Sequence, residues 1–339
     1  MILVTGATGF LGSHVLFELV GMGHSVKALY RDRKRIEYTK RVFSYYSKDL
    51  MPLWNNIEWI QGDLMDYYTL SKHVSGVSMV FHTAGMVSFN SRDRDKLMEV
   101  NAGGTTNLVN ACLESGAAAL CHVSSIATLG EGNESGPVDE SMLWNPGKSA
   151  SAYAISKHNG EMEVWRGIHE GLSAVIVNPA VIIGPGMWMG SARQLLESIH
   201  RGLKFFPSGT SGYVDVRDVA SVMVRLMEKK CYGERFVVSA ANISHREVIN
   251  QIAEAMKRPK PAYRITPFIS KTALMAEYFR SVITGFPPRI TKKTIEIASE
   301  KLQYSDQKLR ETLGYSFITI EDSIRFSIPI YRAETDAAG

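Results

Sequence analysis

A phenol and a primary amine stand four residues apart at Tyr153 and Lys157, in the stretch Tyr-Ala-Ile-Ser-Lys. On a helix that spacing puts both side chains on one face. A cation beside a phenol favours the phenolate, drawing its pKa down from about 10 toward the working pH. Such a pair can act as acid/base for a substrate oxygen. Spacing alone says little, because Tyr30/Lys34, Tyr68/Lys72 and Tyr304/Lys308 repeat it in this chain. Context separates Tyr153, which follows a strand candidate ending in Ser124-Ser125 and opens a helix within a strand–helix series. Ser125 would then lie at the carboxyl edge of a parallel sheet, where ligands bind, with Ser124 the neighbour competing for its role.

A second pattern suits phosphate. Thr5-Gly6-Ala7-Thr8-Gly9-Phe10-Leu11-Gly12 falls between the first strand and the first helix. Gly6 permits a sharp turn, Gly9 lets backbone approach a pyrophosphate, and Gly12 lets helix and strand pack closely. The helix N-terminus adds N–H groups and partial positive charge. The spacing is Gly-x-x-Gly-x-x-Gly rather than Gly-x-Gly-x-x-Gly, so its placement carries the reading. The end of the second strand chooses between dinucleotides: an acid there accepts from a ribose 2′-hydroxyl, and a cation accommodates a 2′-phosphate. Tyr30 stands where the acid is expected, followed by Arg31 and then Arg33, Lys34 and Arg35. A guanidinium forks onto phosphate oxygens, so Arg31 points to NADP rather than NAD, with Asp32 as the alternative ribose contact. Asp63, in Gly62-Asp63-Leu64, either meets the adenine amino group or caps the helix beginning near Asp66.

The elements that must hold these groups alternate. Strands are predicted at residues 2–5, 26–30, 57–61, 79–83, 119–124 and 174–178, with helices at 10–20, 67–74, 93–115 and 152–170. Six strands with helical crossovers make a doubly wound α/β Rossmann sheet. Residues 31–56 form an elaboration, helical over 34–47. After Pro185 the rhythm loosens, giving a nucleotide domain over 1–180, a smaller α/β substrate lobe over 181–332 and a frayed tail over 333–339. The lobe holds one clear strand at 235–239 and a turn at Gly285-Phe286-Pro287-Pro288, and the chain can cross back to the sheet near 212–240.

Of the 339 residues 45% are hydrophobic and 21% charged, the composition of a packed globular chain. A net charge of +4 gives no support to a nucleic-acid or membrane partner. Cys112, Cys121 and Cys231 lack metal or exchange spacing and read as buried small hydrophobes. His14, His82 and His122 read as structural, and no metal is expected. Met1–Thr5 leaves no room for a signal segment before Gly6 and no apolar run reaches membrane-spanning length, so a cytoplasmic location is expected.

In family order, the chain shows Gly6/Gly9/Gly12, Gly62-Asp63-Leu64, His82-Thr83-Ala84-Gly85, Val100-Asn101 with Gly104-Thr105, Ser124-Ser125, Tyr153/Lys157, Asn178-Pro179 with Gly184-Pro185, and Tyr213-Val-Asp-Val-Arg-Asp218. The chain resembles an extended short-chain dehydrogenase/reductase of the NAD-dependent epimerase/dehydratase family, in the branch with dihydroflavonol and cinnamoyl-CoA reductases. The resemblance implies that Tyr153 protonates the substrate oxygen, that Lys157 binds the nicotinamide ribose and lowers the tyrosine pKa, and that Ser125 hydrogen-bonds the reacting carbonyl. Asn101 matches a position supporting a water-linked proton relay, or is a polar helix residue bonded to backbone. Thr83, Ala84 and Gly85 would line the phosphate and ribose region, and Pro179 the nicotinamide carboxamide. The helices at 93–115 and 152–170 would pair across a homodimer two-fold.

Specificity is expected from loops at 86–92, 143–148 and 184–213, where Phe89, Trp144, Met187, Trp188, Met189, Phe205, Phe206 and Tyr213 either wall an apolar pocket or pack the second lobe. Asn178 stands where sugar-nucleotide epimerases commonly show arginine, which favours reduction of an aldehyde or ketone. Nucleotide-sugar epimerisation or dehydration is the rival reading, although Ile126 supplies no acid beside Ser125 for dehydration. A non-catalytic NADP sensor is the alternative of another class.

Overall fold

Strands buried on both faces have to be apolar along their whole length, and β1 (Ile2–Thr5), read as Ile-Leu-Val-Thr, is buried at every position. The computed structural model describes residues 1–116, 119–130, 136–145, 150–188, 190–284 and 291–336. From β1 the chain continues through α1 (Phe10–Gly21), β2 (Val26–Tyr30), α2 (Ile36–Ser44), the single turn α3 (Met51–Trp54) and β3 (Ile57–Gln61). It then runs through α4 (Tyr67–Val74), β4 (Met79–His82), α5 (Arg94–Leu97), α6 (Gly104–Ser115), β5 (Ala119–Val123), α7 (Ala152–His169) and β6 (Ala174–Pro179). The helix expected over 93–115 is interrupted by a wider π turn at Met98–Gly103.

The main sheet has the order β3-β2-β1-β4-β5-β6 and a seventh strand from later in the chain, Glu234–Val238, with every pair parallel. The chain leaves β1 toward β3 and returns to β4 on the other side, which opens a crevice at the carboxyl ends of these strands. Side chains alternate across the sheet: Ile2 and Val4 enter the core under α1, and Leu3 enters the core under α4 and α6. Each such aliphatic side chain contributes about 1.5–3 kcal/mol. Gly12 is required by close approach, since a Cβ there would sit 2.1 Å from the Gly6 carbonyl oxygen.

After β6 come β7 (Val181–Ile183), α8 (Gly190–His200), β8 (Phe205–Phe206), β9 (Thr210–Asp215), α9 (Val216–Glu228) and β10 (Glu234–Val238). The strand read at 235–239 as part of the second lobe is therefore the outer strand of the main sheet, beside β6. Its Phe236, Val237 and Val238 are fully buried, and α9 carries the chain back by packing beside α1. The remainder is β11 (Ala241–Ser244), α10 (His245–Ala255), β12 (Tyr263–Arg264), α11 (Pro267–Thr284), α12 (Lys292–Ile297), α13 (Gln307–Leu313) and α14 (Ile320–Asp336). The smaller lobe centres on a three-stranded sheet, β11-β9-β7, over a core of Ile183, Leu196, Ile252 and Ile324. The first four residues of the expected tail, 333–336, continue α14 as helix; residues 337–339 and the turn at Gly285-Phe286-Pro287-Pro288 lie outside the described residues. Cys112 and Cys121 are buried, whereas Cys231 is half-buried.

Candidate active site

The candidate residues come from the ends of the β-strands, the π turn and α7 at the carboxyl edge of the sheet. The β1–α1 turn brings Gly6, Thr8, Gly9, Phe10, Leu11 and Gly12, with Gly9 as the N-terminal flank of α1. Neither a capping side chain nor an acid occupies the first turn of α1, so its N–H groups and dipole are left for an anion. A Cβ on Gly9 would meet only the Gly6 carbonyl, at 3.1 Å. That surface fits a dinucleotide pyrophosphate. The Leu11 and Leu64 side chains are buried in the cores, which leaves their backbone groups as the contacts they could offer a cofactor, and the Leu64 carbonyl accepts from Asn107 at 2.9 Å. At the ends of β2 and β3, Arg31 and Asp63 are both exposed and their charged groups stand 3.9 Å apart. Asp66, not Asp63, caps α4 through the Thr69 amide at 3.1 Å; Asp63 accepts instead from Met65. Asp32 is held by the Lys34 amide at 3.0 Å.

Ser125 follows β5 and its hydroxyl accepts from the Ala127 amide at 3.1 Å, which leaves its own proton to donate. It lies near enough to the Tyr153 phenol to influence its pKa. Burial pushes the Tyr153 phenol above its ordinary value, and the Ser125 hydroxyl pulls it back. The lowering expected from Lys157 is not among the influences on this phenol. The Lys157 ammonium is turned to the Val123 carbonyl at 2.6 Å, and burial brings its own pKa down to about 8, with Glu161 opposing. Phe89 meets the Tyr153 ring edge-on at 5.7 Å. Ser124 is excluded from the cleft because it donates to buried Glu161 at 2.5 Å.

Thr83 donates to the Thr5 carbonyl at 2.7 Å, fixing the strand end from which Ala84 and Gly85 continue. Asn101 sits in the π turn, 2% exposed. Its amide accepts from Met86 N–H at 2.7 Å and donates to the Met86 carbonyl and the Ser156 hydroxyl, both at 2.9 Å. Gly160 allows this contact, since a Cβ there would lie 2.5 Å from the Asn101 carbonyl oxygen. Asn101 thus ties the loop after β4 to α7, the backbone-bonded option among those open in the sequence. Pro179 ends β6, and the preceding Asn178 is fully buried behind Ser125, donating to the Ser125 carbonyl at 3.2 Å. Asn178 therefore belongs to the wall of the site and does not itself read the substrate. His82 is held by Thr5 at 2.7 Å and Thr105 at 3.0 Å.

Sequence reasoning missed Glu161, one turn past Lys157 on the same face of α7. Its fully buried carboxylate accepts from Ser124, Thr128 (2.7 Å) and Asn178 (2.9 Å), and pairs with Arg235 of β10 at 3.0 Å. These partners hold its pKa down against the opposing pull of burial. Arg235 in turn donates to the carbonyls of Glu140 and Met142. The i, i+4 continuation Tyr-x-x-x-Lys-x-x-x-Glu was the available clue.

Of the aromatic residues assigned to the substrate loops, Phe89 stands at the phenol and Trp144 stacks on His158 at 4.5 Å. Met187, Trp188, Phe206 and Tyr213 pack the second lobe, and Trp188 donates to Glu334 at 2.7 Å. Phe205 lies instead against Tyr263, at 5.8 Å. Met189 and residues 146–149 fall outside the described residues.

The sequence profile described as the NAD dependent epimerase/dehydratase family matches residues 2–239. The chain is 28% identical over 320 residues to sterol demethylase protein B of Methylococcus capsulatus, covering 92% of each chain. It is 30% identical over 283 residues to tetraketide alpha-pyrone reductase 2 of Arabidopsis thaliana, covering 79% of this chain and 84% of that one. Cinnamoyl-CoA reductase 1 of Petunia hybrida is 26% identical over 275 residues, covering 78% and 79%. Among solved structures, gox2253 superposes with a TM-score of 0.80 at 28% identity over 98% of both chains. A UDP-glucose 4-epimerase from Thermotoga maritima shares the fold with a TM-score of 0.75 at 20% identity, covering 98% of this chain and 99% of that one.

Burial of Lys157 has a measurable sign. An ammonium whose folded-state pKa, about 8, lies below its ordinary 10.5 opposes folding fully below pH 8 and not at all above 10.5. Lys157→Met is expected to raise unfolding free energy at pH 7 by about 1–3 kcal/mol, after loss of the Val123 hydrogen bond. In denaturant titrations that gain should shrink as pH rises from 8 to 10.5; a variant no more stable at pH 7 contradicts the assignment.

Proposed function

The chain belongs to the NAD dependent epimerase/dehydratase family, within the extended short-chain dehydrogenases/reductases, and on that footing we propose that it reduces an aldehyde or ketone with NADPH, Tyr153 acting as acid/base. The observation carrying this reading is the placement of the Ser125 hydroxyl, at the end of β5, near enough to the Tyr153 phenol to lower its pKa, with the Phe89 ring edge-on to that phenol. The β1–α1 turn would hold the pyrophosphate of NADPH, which would supply the hydride. Ser125 donates to the carbonyl oxygen and Tyr153 delivers the proton as negative charge grows there. Lys157, below the strand end, would bind the ribose and restore charge beside the phenol. Asn101 holds the loop bearing Met86 against α7 and is a positioning residue. The homodimer through the helices at 93–115 and 152–170 belongs to the same proposal, supported by Met162, 42% exposed on α7.

Reduction is preferred to sugar epimerisation because relatives named as reductases align over most of the chain at 26–30% identity. Ile126, where dehydration would favour an acid, packs against the core. For the cofactor, Arg31 is 68% exposed and Tyr30 replaces the acid that would select NAD, while Asp32 is occupied with a backbone amide.

Tyr153→Phe should leave NADPH binding nearly intact and lower turnover of a carbonyl substrate at least about a hundredfold. NADPH oxidation across a panel of aromatic and aliphatic carbonyls reads this out, and a variant with near-normal turnover removes Tyr153 from the mechanism. Arg31→Ala should raise the Kd for NADPH about tenfold and leave that for NADH nearly unchanged; equal weakening of both in fluorescence titrations refutes the 2′-phosphate contact.

A further inference from the structure

The net charge of +4 conceals a strong segregation. Residues 257–293 hold nine Lys and Arg against the single acid Glu277, which leaves the rest of the chain net negative. The fold gathers more cations around the start of this segment. β12 pairs with β8, setting Tyr263 opposite Phe205 and Arg264 opposite Phe206, and the Tyr263 amide donates to the Lys204 carbonyl at 3.0 Å. Arg258 reaches His200 at 3.1 Å, at the end of α8. Arg201, Lys204, Lys257, Arg258, Lys260 and Arg264 are all exposed here. Glu254, paired with Lys260 at 2.7 Å, is the acid among them.

Apolar groups stand exposed in the same place. The rings of Phe205 and Tyr263 are in contact and are 40% and 61% exposed. Immediately beyond, α11 presents Phe268 at 77% and Met275 at 55% exposure, two turns apart on one stripe, with exposed Lys271 between them. Large apolar side chains set among lysines and arginines are the composition of a helix lying in a membrane interface, where apolar bodies enter the headgroup boundary and the cations stay with the phosphates. Among the described residues no helix is long and apolar enough to cross a bilayer, so the contact would be peripheral.

We propose that the exposed basic and apolar groups of β8, β12 and the helix that follows them, α11, dock the protein on an anionic phospholipid surface. Charge complementarity selects that partner, and Phe268 and Met275 favour lipid over nucleic acid, which would ask for flat rings along the strand rather than an aliphatic stripe. The proposal is independent of the chemistry in the cleft. It concerns peripheral contact, which neither the net charge of +4 nor the lack of a bilayer-spanning helix among the described residues addresses.

The test is co-sedimentation of the full chain with phosphatidylcholine vesicles with and without phosphatidylglycerol. Binding is expected with the anionic lipid only, and high salt should release it. Combined Lys204→Glu, Arg264→Glu and Lys271→Glu should lower the partition coefficient at least tenfold, given about fivefold per charge. Phe268→Ser with Met275→Ser should lower it several-fold at constant charge, with circular dichroism spectra unchanged in both variants. No binding to phosphatidylglycerol vesicles at low salt overturns the proposal. So does absence of vesicle binding alongside capture of a single-stranded oligonucleotide, or alongside self-association, that these substitutions abolish.

Discussion

A carboxylate with no access to water survives only if donors surround it, and Glu161 organises the catalytic half of this molecule on that condition. Ser124, Thr128, Asn178 and Arg235 all turn toward it. Those four residues belong to the end of β5, the short turn after it, β6 and β10. Ser125 is presented to the cleft because its neighbour Ser124 is held on the opposite side by this charge. Arg235 extends the same restraint to the Glu140 and Met142 carbonyls, so the segment after the turn is fixed to the outer strand of the sheet.

The proposed acid/base pair depends on a second restraint of the same kind. Lys157 is held between the Val123 carbonyl and the charge of Glu161 one turn away, and burial leaves its ammonium easily deprotonated. Tyr153 feels burial and the Ser125 hydroxyl. Lys157 thus keeps its charge at neutral pH at a cost in stability, while the Tyr153 phenol is held in its protonated form. On the other flank, the π turn brings Asn101 onto α7 and fixes the loop carrying Met86, the approach from which Phe89 reaches the phenol.

Much of this was legible in the residues. The strands β1 to β6 are short apolar runs that cannot satisfy their backbone except in a doubly covered parallel sheet, and the Gly6–Gly12 turn announces itself by its place between strand and helix. The seventh strand was legible as a strand at 235–239 and within the return to the sheet near 212–240; its pairing with β6 was not, because β10 follows a long excursion through the small lobe. Glu161 was hidden because a single acid on a helix looks like a solvated residue until its distant donors are known. Asn178 was legible only as a difference from the epimerases; its burial behind Ser125, bonded to Glu161, depends on tertiary contacts that strand alternation does not carry. The aromatic-rich stretch at 184–213 was only partly separable: Trp188, Phe206 and Tyr213 pack the lobe, a matter of tertiary contact that periodicity does not carry.

The central claim is transfer of a hydride from a nicotinamide to a carbonyl carbon in this cleft. Mass spectrometry of products formed from cofactor carrying deuterium at the nicotinamide C4 tests it most directly, with carbonyl compounds and nucleotide sugars offered side by side. The account predicts one deuterium on the new carbinol carbon for each NADPH oxidised. An isomerised nucleotide sugar formed with no net cofactor oxidation, and no labelled alcohol, would contradict it.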